Sequence, residues 1–156
     1  QVKRLLKTTR ITRHSARNRP VIILSYYVGL RAREIASFKV GDVVDGEGNI
    51  KDTVLLTKYM TKGNSANSVY LSEFVKKEIQ KYLESNTERL VTLKSPLIYS
   101  QRTGGHFSSQ TLQILFKTLY SNVGINASSH SGRRKFITDL SEKGVSVRVI
   151  QELARH

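Results

Sequence analysis

His130, Arg133 and Arg134 stand at positions i, i+3 and i+4 of one segment, a spacing that on a helix sets three side chains on one face. Ser128 or Ser129 suits the cap of that helix, which puts an imidazole and two guanidinia beside a helix N-terminus. Free backbone N–H groups and the helix dipole favour an anion at such a place. A solvated basic helix face has the same spacing. The second candidate is Arg31 in Gly29-Leu30-Arg31-Ala32-Arg33-Glu34, after an apolar helix that ends at a glycine. A guanidinium beside the core must be paired. Glu34 at i+3 is a partner in reach, so an internal ion pair and the capture of an outside anion are both open. Lys62 in Lys62-Gly63-Asn64 stands at a hairpin tip, where an amine either solubilises the turn or reaches a ligand.

The chain carrying these groups has 156 residues, with 26 Lys or Arg against 12 Asp or Glu and a formal charge of +14. With 38% hydrophobic residues it can bury the core of one ordinary domain, unlike a disordered basic tail. The absence of cysteine excludes a disulfide scaffold, a zinc ribbon and a cysteine nucleophile. The longest apolar run, Val21 to Leu24, is far too short to span a membrane, so a cytoplasmic, nucleoid-associated protein without membrane contact is expected. A surplus of positive charge repels itself unless a polyanion is present, which makes nucleic acid the first partner to consider. Ribosomal and membrane-surface proteins share that statistic.

Several elements must position these groups. Residues 1–19 carry Lys3, Arg4, Lys7, Arg10, Arg13, Arg17 and Arg19 without an acid, which reads as a basic arm or a weak helix. Pro20 suits the first turn of a buried helix running to Gly29, and Ala32 to Phe38 continues as a second helical stretch. Val43-Val44, Thr53 to Leu56 and Ser68 to Leu71 are short β-type runs separated by turn residues, which predicts a small three-stranded antiparallel sheet. Ser72 caps a helix with Val75, Ile79, Tyr82 and Leu83 on one stripe. A further helix from Ser109 repeats Leu112, Leu115, Phe116, Leu119 and Tyr120, the His130 helix stops at Gly144, and Ser146 opens a last helix with Val149, Ile150 and Leu153 inward. The fold class expected is mainly α with a small sheet (α+β).

Taken in order, these pieces resemble the catalytic domain of the tyrosine recombinases, the phage integrase family. Gly29 to Ile35 is similar to the family's first arginine motif, and Val40-Gly41-Asp42-Val43 to the segment after it. Thr61-Lys62-Gly63-Asn64 is similar to its β-hairpin lysine motif and His130-Ser131-Gly132-Arg133 to its His-x-x-Arg box. Ile150 to His156 is similar to the stretch ending in the family's last histidine. The resemblance covers nearly the whole chain. It implies site-specific DNA recombination through a covalent 3′-phosphotyrosine, with duplex DNA as partner and neither metal nor cofactor. Arg31 and Arg133 would clamp the non-bridging phosphate oxygens. Lys62 would protonate the leaving 5′ oxygen, His130 would position or exchange protons, and His156 would donate a hydrogen bond to the phosphoryl group. Arg10, Arg13, Arg17, Lys58 and Arg134 are the expected backbone-tracking cations.

The resemblance also implies residues 1–19 as an arm or interdomain junction and 20–156 as the catalytic domain, ending before the nucleophilic tyrosine. All seven tyrosines precede the His-x-x-Arg box, so the chain as given is expected to bind DNA without cleaving it, as a monomer, where full-length relatives work as tetramers. Arg134 stands where many relatives have a second histidine. The alternative is a noncatalytic DNA-binding regulator of the same fold.

Overall fold

A helix apolar on every side must be surrounded, and from Pro20 to Val28 only Tyr27 is polar enough and placed to reach solvent. In the computed structural model, which describes residues 2–57, 60, 67–87 and 92–155, this segment belongs to α2 (Ser15–Val28). Helices α1 (Val2–Thr9), α3 (Ala32–Ser37), α5 (Glu73–Ser85) and α7 (Ser131–Glu142) all pack against it. The remaining elements are the single turn α4 (Val40–Val43), strands β1 (Thr53–Leu56) and β2 (Asn67–Tyr70), α6 (Ser109–Ser121) and α8 (Val147–Ala154). Ser72, Ser108 and Ser146 cap α5, α6 and α8, each hydroxyl accepting an N–H of the first turn. Among the described residues no helix is long and apolar enough to cross a membrane.

The mainly helical architecture with a small antiparallel sheet is as expected, but that sheet has two strands among the described residues, not three. Thr53 pairs with Tyr70 and Leu56 with Asn67, which turns Val54, Leu56 and Val69 to the core. The Val43-Val44 run fails as a third strand because Val43 closes α4, and Asp45 then reverses the chain at once. Its carboxylate accepts from the N–H groups of Glu47 and Asn49, both at 2.9 Å, leaving a single bridge between Val44 and Ile50.

Of the two readings of the leading segment, arm or weak helix, the structure shows a helix, α1. Leu5 and Leu6 of α1 are buried, and Arg4 Nη2 donates to the Val123 carbonyl at 2.8 Å. Helix α2 begins at Ser15, so Pro20 lies inside it instead of in its first turn. The Ala16 carbonyl loses its usual helical donor there, and burial of the proline ring offsets part of that cost. Arg19 ties α2 to α5, its Nε and Nη2 donating to the two oxygens of Glu78 at 2.8 and 3.0 Å. That bond holds the Glu78 carboxyl below its ordinary value, against a smaller opposing effect of burial. A depressed carboxyl stabilises the fold above its unfolded value of about 4.5 and stops doing so as pH falls through the folded one. Glu78→Gln should therefore destabilise by about 1 kcal/mol near neutral pH. In thermal melts the gap between variant and wild type should narrow as pH falls below about 4.5, and a gap independent of pH would contradict the assignment.

Candidate active site

The left-handed turn after α2 places the first arginine. Gly29 ends the helix at φ 74°, its N–H bonded to the Leu24 carbonyl, and a Cβ there would meet the Phe136 ring at 2.4 Å. Two residues later Arg31 caps α3. Its backbone N–H donates to Glu34 Oε1 at 2.7 Å, while its Nη1 reaches Glu34 Oε2 only at 3.4 Å. The Arg31 side chain keeps 30% of its surface exposed; Glu34 has none.

Helix α7 brings the second arginine to the same turn. Gly132 lets α7 approach α2 closely, since a Cβ there would fall 2.0 Å from Ser25 Oγ. Arg133, 6% exposed, donates from Nη1 to the Gly29 carbonyl at 2.7 Å and from Nη2 to the Ala154 carbonyl. Burial, then the neighbouring Arg31 and Arg155 charges, push its pKa down to about 10. It is still a cation at neutral pH.

A third arginine, absent from the sequence expectations, completes the cluster. Arg155 follows α8, and its side chain is 1% exposed. Nη2 donates to Glu34 Oε1 at 2.6 Å and to the Gly29 carbonyl at 3.3 Å. Burial lowers its pKa, and the Glu34 carboxylate opposes that shift. The sequence carries no signal for it: a helix end usually has Gly or Asn in the left-handed position, and here an arginine holds it at φ 61°. Arg31 and Arg155 thus bond to one carboxylate, and the nearby Arg133 is held by backbone carbonyls, so the cluster carries more positive than negative charge.

The expected convergence of His130, Arg133 and Arg134 on one face is not observed. Helix α7 starts at Ser131, with His130 as the residue before it, so neither Ser128 nor Ser129 is its cap. Ser128 Oγ instead accepts from the His130 N–H at 3.3 Å. Consecutive helical residues point about 100° apart; Arg133 turns into the core, while Arg134 is exposed and its Nη2 lies 3.4 Å from Ser128 Oγ. His130 and Arg31 lie on one cleft, of about 300 Å³, with Glu34, Met60 and Gln113, and His130 continues into an open cleft of about 520 Å³ with Arg134 and Lys117.

Of the other expected contacts, Arg10 and Arg13 are exposed. Arg17 is not: at 6% exposure it donates twice to Asn18 Oδ1, at 3.1 and 2.8 Å, and lies 5.0 Å from the Phe107 ring centroid. It is an internal brace between α2 and the loop before α6, which corrects its expected place along a DNA backbone. Val149, expected inward, is 44% exposed, and α8 buries Ile150 and Ala154 instead. Lys58, Lys62 and His156 lie outside the described residues. Among the described residues no three His, Asp or Glu side chains form a group able to hold a metal.

The sequence profile of the phage integrase family matches residues 1–156. The chain belongs to the phage integrase family. It is 32% identical over 157 residues to tyrosine recombinase XerA of Thermococcus kodakarensis, covering 100% of this chain and 52% of that protein. It is also 32% identical over 143 residues to tyrosine recombinase XerD of Rickettsia prowazekii, covering 87% and 46%. This integrase-family chain thus spans about half the length of the curated relatives it matches. Its fold is that of the XerA recombinase crystal structure, with a TM-score of 0.79 at 22% identity over 99% of this chain and 53% of the other. The integrase of mycobacterium phage Brujita superposes with a TM-score of 0.71 at 26% identity, over 97% and 47%.

Proposed function

We propose that this chain is the catalytic region of a site-specific DNA recombinase that cuts and rejoins strands through a 3′-phosphotyrosine. The observation carrying this reading is the meeting of Arg31 and Arg133 at the Gly29 turn, with His130 on the cleft that Arg31 opens into. In this reading a scissile phosphate enters that cleft. A tyrosine oxygen bonds to phosphorus as the bond to the 5′ oxygen breaks, and negative charge grows on the non-bridging oxygens. Fixed guanidinia stabilise that charge without reorganising. Arg31 faces the phosphate directly, and Arg133 supports it from below with the N–H groups its carbonyl contacts leave over. His130 exchanges or positions a proton. Lys62 as the acid for the leaving 5′ oxygen, and His156 as a further donor, are carried by the family resemblance alone. Arg10, Arg13 and Arg134 are exposed cations suited to tracking the duplex backbone, which would place the protein at the nucleoid.

The test is covalent capture. A polypeptide carrying residues 1–156 together with the family's tyrosine, incubated with a nicked duplex of its own attachment site, should yield a denaturant-resistant protein–DNA adduct and a free 5′ hydroxyl. Duplex binding without any adduct would instead favour the noncatalytic regulator.

A further inference from the structure

We propose that Arg155 is a positioning residue that keeps Arg31 available to phosphate by occupying the Glu34 carboxylate. This rests on the phosphate reading above. Glu34 is fully buried and has three arginines around it. Its Oε1 takes the two short bonds, from the Arg31 backbone N–H at 2.7 Å and from Arg155 Nη2 at 2.6 Å. The Arg31 guanidinium is left with the long contact at 3.4 Å. The carboxylate is therefore neutralised by a cation that solvent cannot reach, at 1% exposure, and the cation that solvent can reach, at 30%, is held loosely. Without Arg155 the nearest charge able to compensate a buried Glu34 is Arg31, three residues away on the same turn. A buried charge demands such a partner, so Arg31 would be drawn inward.

Two costs at Arg155 show that this arrangement is held in place by its contacts. Arg155 is the one non-glycine residue with positive φ among the described residues, and its Nε is buried without a partner. Such features persist where surrounding interactions over-determine them. Here those interactions are Glu34 Oε1, the Gly29 carbonyl and the Leu153 carbonyl at 3.4 Å from Nη1. A planar guanidinium can serve all three from one position; a lysine ammonium on a flexible stem cannot. The same fork fastens the end of α8 to the turn that carries Arg31.

The probe is inorganic phosphate titrated into the ¹⁵N-labelled 156-residue chain, read at the Arg31 Nε–Hε resonance. Wild type should show a saturating shift there and at the backbone amide of His130 on the same cleft, and Arg31→Ala should abolish the second; an Arg31 resonance indifferent to phosphate overturns the phosphate reading and this role with it. Arg155→Gly relieves the backbone strain and removes the guanidinium. It should weaken phosphate about tenfold, the loss expected when one charge-assisted contact is diverted. If wild type binds and Arg155→Gly stays within about twofold of it, only the positioning role falls. The double variant Arg155→Gly, Glu34→Gln carries no unpaired carboxylate and decides the matter even where the single variant does not fold. Recovery to about wild-type affinity shows that Arg155 acts through Glu34, whereas a folded double variant that stays about tenfold weak overturns the proposal.

Discussion

Glu34→Ala should cost the domain about 3–5 kcal/mol, the loss seen when one partner of a buried ion pair is removed. In a fold whose whole stability is on the order of 5–15 kcal/mol, that moves the urea midpoint far toward zero. The reason lies in what stays behind. The Arg155 side chain is 1% exposed and loses the carboxylate it bonds to, Arg133 keeps a buried charge beside it, and the α3 cap loses the acceptor of the Arg31 N–H. Glu34→Gln should be milder, because an amide oxygen still accepts from that N–H while its charge is gone. Adding Arg155→Gly to Glu34→Ala should recover part of the loss, since the worst-stranded cation goes with it. The two changes should be strongly non-additive, as residues in direct contact are. Urea unfolding of the four chains measures the coupling; additive losses would mean that Glu34 and Arg155 are not energetically paired.

What could be read ahead of the structure follows the range of the interactions. The caps at Ser72 and Ser146 lie within their own first turns, and both stand where the spacing places them. Glu34 as a partner within reach of Arg31 is legible in the same way, three residues away on one turn, although the sequence leaves anion capture equally open. The Arg155–Glu34 pair joins residues 121 apart, and no periodicity carries that. Arg17 misleads in the opposite direction: seven cations without an acid read as a wet surface, yet its stem packs inward and its charge is met by Asn18 and the Phe107 face. Type and order mark the His-x-x-Arg box, but not which of its side chains turns inward: Arg133 and Arg134 point about 100° apart on α7, and the packing of α7 on α2, with Gly29 lying 104 residues before Arg133, decides that Arg133 is the buried one. The β-branched pair at Val43-Val44 has strand propensity, and the Asp45 turn overrides it.

Arg31 and Arg133 should separate under mutation, although the resemblance gives them one role. In a polypeptide able to form the phosphotyrosine adduct, Arg31→Ala should slow adduct formation by about 3–4 kcal/mol of transition-state stabilisation. Its melting temperature should barely change, because the Arg31 guanidinium has one long contact at 3.4 Å and a partly exposed side chain. Arg133→Ala should show a similar rate loss together with clear destabilisation, since it removes the fork joining the Gly29 carbonyl to the end of α8 at Ala154. Arg133→Lys should not rescue it. One ammonium cannot reach both carbonyls along a planar fork, and the burial that brings the arginine down to about 10 acts on a group whose ordinary value is already lower. A lysine there would shed part of its charge in the neutral range, so residual activity in Arg133→Lys should fall as pH rises, while wild type holds its charge until near pH 10. Single-turnover adduct assays paired with thermal melts measure both quantities on each variant. An Arg133→Lys chain with wild-type rate and melting would show that the cluster needs only a positive charge at that position, and the fork geometry would then explain nothing.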